Sequence, residues 1–218
     1  MADDSTFIRA RSADQIEMRR GEILAAAADL LMEEGFEEIS LNGIARRAGV
    51  AKSNLYRYFT GKEEILFEVM VRDYTDWFAD ITAKLQALPM AAGETAVAHG
   101  LSESLRGRER LCTFISVKAL ILERNMCEEA IERFSTYLRG RAEELLGVLL
   151  SRIGNVGPDQ GPFILLAVHA AIAGLWPMTR HDHGKDLPEE WQVDFHRDLE
   201  AMAEGVFLAA RNKSAANG

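Results

Sequence analysis

Residues 40–62, SLNGIARRAGVAKSNLYRYFTGK, carry Arg46, Arg47, Lys52, Arg57 and Lys62 and no Asp or Glu. Ser40, Asn42, Ser53, Asn54, Tyr56 and Tyr58 lie among them. Guanidinium, ammonium and hydroxyl groups donate to phosphate oxygens. Arg also pairs with a guanine edge and Asn with an adenine edge, so Lys52, Ser53, Asn54 and Arg57 are the candidates for base contact. Tyr58 can stack on a sugar or touch a thymine methyl. The whole chain has 25 Lys and Arg against 34 Asp and Glu, a formal net charge of −9. A purely basic stretch inside an acidic chain calls for a polyanion, and these residue types specify double-stranded DNA. The bland alternative is a solvated basic face on an ordinary helical hairpin.

Helices must position these groups. Ser40 can cap a short helix over Leu41 to Ala48, with Ile44, Ala45 and Ala48 as one apolar stripe. Gly49 suits the left-handed residue that ends it, and Val50 can plug the gap that follows. A second helix over Lys52 to Tyr58 turns Leu55 and Phe59 inward and leaves the polar residues outward. Helix, glycine turn, helix reads as a helix-turn-helix. Ala51 offers no capping oxygen, which weakens the second helix by about 1 kcal/mol unless Lys52 or Ser53 takes over the cap.

The flanking elements complete the unit. Residues 1–11 read as an arm in which Arg9 and Arg11 either reach a DNA groove or are disordered. Ser12 and Gln15 form a capping box for a helix running to Glu34, and Gly35 ends it. Its stripe of Ile23, Ala27, Leu30 and Leu31 makes a small core with Phe36, Ile39, Ile44, Leu55 and Phe59. A fourth helix runs from near Gly61 to about Leu88. Lys62 at its start is unusual, because a helix N-terminus prefers anions. A bound phosphate would account for it, and a plain surface lysine is the other reading.

The run ILAAAADLLMEEGFEEISLNGIARRAGVAKSNLYRYFTGKEEIL resembles the N-terminal domain of TetR-family transcriptional regulators. The resemblance implies a phosphate contact from Tyr56, in the L-Y-x-x-F run, and another from Lys62. It implies a base or backbone contact from Asn42, and Ser40 can donate to phosphate besides capping. Ala51 departs from the family pattern, in which Ser or Thr is common, so the base contacts are the less secure part. The fold expected is all-α: a DNA-binding domain over 1–62 and a ligand-binding and dimerisation domain over 63–218, with about nine helices.

Beyond the fourth helix, five more are expected near 93–106, 108–123, 126–153, 160–180 and 188–212, separated by glycine- and proline-containing stretches. The run Phe163 to Met178 is the most apolar, yet shorter than a bilayer needs, and His169 interrupts it; a buried helix is expected. In the last helix Trp191, Phe195, Leu199, Met202, Val206 and Ala210 recur at steps of four and three. One chain can bury both helices, but a two-fold four-helix bundle uses them better, and the resemblance implies that homodimer. Its interface candidates are Val168, Ile172, Leu175, Phe195, Leu199, Met202 and Val206. Two recognition helices related by a two-fold axis read a palindromic operator. Residues 1–62 hold 9 basic and 10 acidic residues and 63–218 hold 16 and 24, so the acidic part should face away from DNA.

The resemblance also implies a small-molecule pocket between helices 4 and 8. Candidate lining residues are Phe78, Phe114, Val117, Ile121, Phe134, Tyr137, Leu138, His169 and Trp176, and their character suggests a hydrophobic or aromatic effector. At helical spacing each is also a candidate for plain core. No enzyme motif is present: no G-x-S-x-G, H-E-x-x-H, C-x-x-C or glycine-rich phosphate loop. His181 and His183 beside Asp182 lack an evident third ligand, so a solvated loop is expected and neither metal nor cofactor. Cys112 and Cys127 suggest a reducing cytosol, and the N-terminus shows no signal-peptide apolar region, so the protein is expected in the cytoplasm. These features describe a ligand-responsive DNA-binding repressor. The rival reading is an all-α small-molecule-binding protein or enzyme with an incidental helix-turn-helix.

Overall fold

The computed structural model describes residues 4–123, 128–180, 188 and 191–217. Among them all regular structure is helical. The helices are α1 (Asp4–Glu34), α2 (Leu41–Arg47), α3 (Lys52–Leu55), α4 (Lys62–Ala87), α5 (Glu94–Ser104), α6 (Glu109–Glu123), α7 (Glu128–Ile153), α8 (Gly161–Arg180) and α9 (Phe195–Asn217), with one 3-10 turn at Pro158–Gln160. Two compact units divide the chain between Arg72 and Asp73, inside α4. The division falls ten residues beyond the 62/63 boundary drawn from sequence. Ile65, Leu66, Val69 and Met70 of α4 are all buried and lie in the first unit.

In the first unit, α1 starts at Asp4, so residues 4–11 of the expected arm are helical and the helix start expected at Ser12 is corrected. No Gly or Pro interrupts residues 4–20, and the backbone has no reason to leave the helix there. Ile23, Ala27, Leu30 and Leu31 are buried with Phe36, Ile39, Ile44, Leu55 and Phe59. A Cβ on Gly43 would lie 3.3 Å from Ser40 Oγ, the cap of α2, and in ordinary contact with Leu30 Cδ1 of α1 at 3.6 Å, so the capping hydroxyl is what a side chain there would crowd. Gly49 takes φ +66°, the left-handed turn between α2 and α3. The α3 helix is a single turn. Its cap stays at Ala51 and has no side-chain hydrogen bond, and neither Lys52 nor Ser53 takes over.

Arg20 locks this arrangement. One guanidinium nitrogen donates to the Tyr58 carbonyl at 2.7 Å, another to the Glu68 carboxylate, and the group lies 4.4 Å from the Phe59 ring centre. It therefore joins α1, the turn after α3, and α4. Nearby, Arg47 makes a two-pronged pair with Glu33 of α1.

In the second unit, Arg152 of α7 donates to the carbonyls of Leu85 and Gln86 at 3.0 and 3.1 Å, capping the end of α4. Trp77 Nε1 donates to Ser104 Oγ at 2.9 Å, and Arg110 holds Asp73 with two hydrogen bonds of 2.7 Å. Cys112 is buried, and burial pushes its thiol up to about 12, which keeps it protonated and unreactive. Cys127 lies outside the described residues, as do His181, Asp182 and His183.

The α9 helix starts at Phe195, later than the expected 188, because Asp194 caps it: Asp194 Oδ1 accepts from the Arg197 N–H at 2.8 Å, and Asp198 accepts from the Asp194 N–H at 2.9 Å. Trp191 is thus outside the helix and 72% exposed. Phe195, Leu199, Ala203, Phe207 and Ala210 form the buried stripe of α9, which packs on α5 and α8. The expectation of a buried helix at Phe163 to Met178 holds for one face only. Ile164, Ala171 and Ile172 are buried, but just 22% of the apolar window in Pro158–Thr179 is buried in the chain. Phe163, Leu166, Ala170, Gly174 and Met178 are exposed at steps of three and four, with Pro177 beside the last.

Replacing Arg20 with Met should lower the free energy of unfolding by about 2 kcal/mol, the scale of lost hydrogen bonds to a charged group. Urea denaturation followed by circular dichroism measures it; an unchanged midpoint would show that the tie is dispensable.

Candidate nucleic-acid interface and apolar cavity

The helix-turn-helix turns its polar residues to solvent. Asn42, Lys52, Ser53, Asn54, Tyr56 and Arg57 are exposed, Tyr56 by 57%. The inward residues of the same segment, Leu55 and Phe59, are buried, so α3 is fixed from behind. After Leu55 the chain continues in turns: the Tyr58 and Phe59 N–H groups both donate to the Leu55 carbonyl at 2.9 Å. Arg57 and Tyr58 therefore project from a turn and not from a helix.

Three expected contact residues have structural duties as well. Ser40 Oγ accepts from the Gly43 N–H at 3.1 Å, which caps α2 and leaves the hydroxyl proton to donate. Tyr58 is half-buried, and its carbonyl is held by Arg20. Lys62 Nζ donates to the Ile39 carbonyl at 2.9 Å and lies 5.8 Å from the Phe36 ring centre, so one of its three donors is committed inside the unit.

The two neighbouring arginines differ. Arg47 is paired, and its guanidinium holds the Glu33 carboxyl below the usual range. Arg46 is exposed and has no hydrogen bond or ion pair among the described residues. It joins the outward basic set, although sequence reasoning assigned it no contact. Arg20 was also missed. Nothing in its immediate sequence marks it, since its three partners are 38 to 48 residues away or in another helix.

The second unit contains a cavity of about 430 Å³. Of the expected lining, Phe78, Leu138 and His169 are there. Phe114 and Phe134 are buried but do not line it; Phe134 backs the wall through an edge contact to Tyr74, ring centres 6.1 Å apart. Val117 also stays off the wall. Tyr137 instead shares a 2.6 Å hydrogen bond with Thr75, and Trp176 donates to Thr113 Oγ1 at 3.0 Å. The Ile121 side chain lies outside the described residues. Tyr74, Trp77, Ile115, Lys118, Leu145 and Leu149 line the cavity and were not anticipated, because periodicity does not tell which buried side of a helix meets a void. Burial, and then the Lys118 charge, push the His169 imidazole down to about 4, so it is neutral at neutral pH.

The expected dimer residues are divided by the fold. Ile172, Phe195 and Leu199 are buried within the chain itself, because the α9 stripe packs against α5 and α8. Val168, Leu175 and Val206 are half-buried, and Met202 is exposed.

Residues 23–69 match the model of bacterial regulatory proteins of the tetR family, and residues 71–183 match that of the tetracyclin repressor-like C-terminal domain. The transcriptional repressor KstR2 of Mycobacterium tuberculosis is 36% identical over 100 residues, covering 41% of this chain and 50% of that one. The chain thus spans about half the length of such curated relatives. A transcriptional regulator from Rhodococcus sp. Rha1 superposes with a TM-score of 0.58 at 17% identity, over 88% of this chain and 97% of that one. The SmeT–triclosan complex superposes at 0.53 with 21% identity, over 88% and 91%. These likenesses show the fold.

In the fold His169 gives up its proton near pH 4, against an ordinary value of 6.5. Between those values the unfolded chain binds more protons, so the stabilising effect of neutral His169 is complete above 6.5 and is lost as pH falls toward 4. The Tm should therefore fall more steeply across this window in the native sequence than in His169→Gln. Differential scanning calorimetry at matched ionic strength measures the difference; parallel curves would contradict it.

Proposed function

The chain belongs to the TetR family of bacterial regulatory proteins, and from that premise we propose that it is a homodimeric, ligand-responsive repressor of a palindromic DNA operator. The observation that carries this reading is the outward set Asn42, Lys52, Asn54, Tyr56 and Arg57 on a helix-turn-helix whose other side is packed. Tyr56, Lys52 and Ser40 donate to phosphates, while Asn54 and Arg57 read base edges. Lys62 acts at the start of α4 with its remaining donors, and Arg46 adds a phosphate contact.

Dimerisation uses the faces of α8 and α9 that the chain leaves bare. Leu166, Ala170, Gly174 and Met178 of α8 and Met202 and Val206 of α9 form the core of that interface. Small residues on α8 let its partner approach closely. The bulk that sequence reasoning placed there, Phe195 and Leu199, serves the monomer core. Support comes from the exposure of this apolar face, 69% at Leu166 and 61% at Met178.

The cavity takes a small effector. Helix α4 runs from Ile65 and Leu66 in the first unit to Tyr74, Trp77 and Phe78 on the cavity wall, as one unbroken element. A ligand that prefers one position of this wall shifts the helix and with it the spacing of the two recognition segments. The transcriptional repressor KstR2 as a relative, and triclosan bound in the complex of SmeT, support this assignment.

Selection from a random duplex pool at near-physiological salt should return an inverted repeat. On that site, replacing Tyr56 and Arg57 together with Ala should weaken binding by at least about tenfold while leaving the dimer intact. Leu166→Arg should give a folded monomer by sedimentation and abolish tight binding. Salt-sensitive binding without any motif would refute the proposal.

A further inference from the structure

The cavity wall has a charge opposite to its surroundings. Residues 63–218 carry 16 Lys and Arg against 24 Asp and Glu. The described cavity lining nevertheless includes Lys118, Arg139 and His169 and no Asp or Glu at all. Lys118 is half-buried, with burial alone pulling its pKa down and no carboxylate among the described residues pushing it back. A cation withdrawn from water and left unpaired is unfavourable, and an anion in the cavity relieves it.

A second observation on the same wall is independent of charge. Tyr74 is only 4% exposed, and its hydroxyl has no hydrogen-bond partner among the described residues. Buried hydroxyls are nearly always paired. Tyr74 lines the cavity, so a polar atom of a bound molecule can supply the missing partner. Apart from Ser135 the rest of the wall is apolar, with Trp77, Phe78, Leu145 and Leu149 prominent.

We propose that the cavity selects an amphiphilic anion, with an acidic head held by Lys118, a polar atom bonded by Tyr74 Oη, and an apolar body against Trp77, Phe78 and Leu149. This deepens the reading of the cavity as an effector site and rests on it. A neutral ligand would leave Lys118 unpaired, and a cationic one would be repelled by Lys118 and Arg139. The apolar body gains from burial, so neither the head nor the tail suffices alone.

The test is titration calorimetry of the protein with three probes of equal chain length: decanoate, decanol and decylamine. The native protein should bind decanoate on the order of tenfold more tightly than decanol, with decylamine the weakest. Lys118→Met should erase the preference for decanoate and keep decanol binding, which also shows that the cavity still forms. Tyr74→Phe should weaken decanoate severalfold. Equal binding of decanoate and decanol by the native protein would overturn the charge selection and leave the cavity reading standing. Retention of the preference in Lys118→Met would overturn the assignment of the head to that residue. Failure of all three probes to bind would overturn the proposal together with the reading of the cavity.

Discussion

One guanidinium holds the recognition segment in place. Arg20 joins the Tyr58 carbonyl, the Glu68 carboxylate and the Phe59 ring, so α1, the turn after α3 and α4 share one side chain. This matters because α3 is a single turn with no side-chain cap. An isolated helix of that length has almost no stability in water. Its conformation must come from the packing of Leu55 and Phe59 and from the fixed carbonyl at Tyr58. Arginine suits the task, since its rigid fork serves an oxygen on each side while its flat face rests on an aromatic ring. The acidic partner Glu68 also keeps this charge out of the outward basic set.

The basic residues of the first unit divide between those tied into the fold and those that face solvent. Arg20, Arg47 and Lys62 are engaged internally, whereas Arg46, Lys52 and Arg57 face solvent. A count of basic residues does not separate the two groups. The second unit repeats the pattern, with Arg110 on Asp73 and Arg152 on the end of α4 serving structure, while Lys118 has no carboxylate partner among the described residues. In both units some cations are tied into the fold, and others have no carboxylate partner among the described residues.

The helix-turn-helix was legible in the sequence because its determinants are local. Ser40 caps α2, Gly49 turns the chain, and Leu55 and Phe59 face inward, all within twenty residues. The all-α class followed from the same periodicity. Helix starts were less legible. Nothing between Asp4 and Arg20 breaks the helix, so α1 reaches back past the Ser12 capping pattern to Asp4. The Asp194 cap, hidden in a polar run, set the start of α9 later than the apolar pattern suggested. Apolar residues of α9 extend beyond its buried stripe, so sequence could not separate Phe195 and Leu199, buried in the chain, from Met202 on the outside. Of the cavity lining, Phe78, Leu138 and His169 were found by type, whereas Lys118 looks in sequence like any surface lysine.

The bare apolar face of α8 makes the abundance of this protein part of its chemistry. With only 22% of its apolar window buried, a lone chain presents water with a surface as greasy as a membrane helix. Whatever covers that face stabilises the fold by mass action, so a second copy would make the folded fraction rise with total concentration. Newly made chains are then most vulnerable to proteases and to aggregation when they are scarce. Under the proposed dimer, dilution alone would lower the folded fraction gradually, without any change in sequence or ligand.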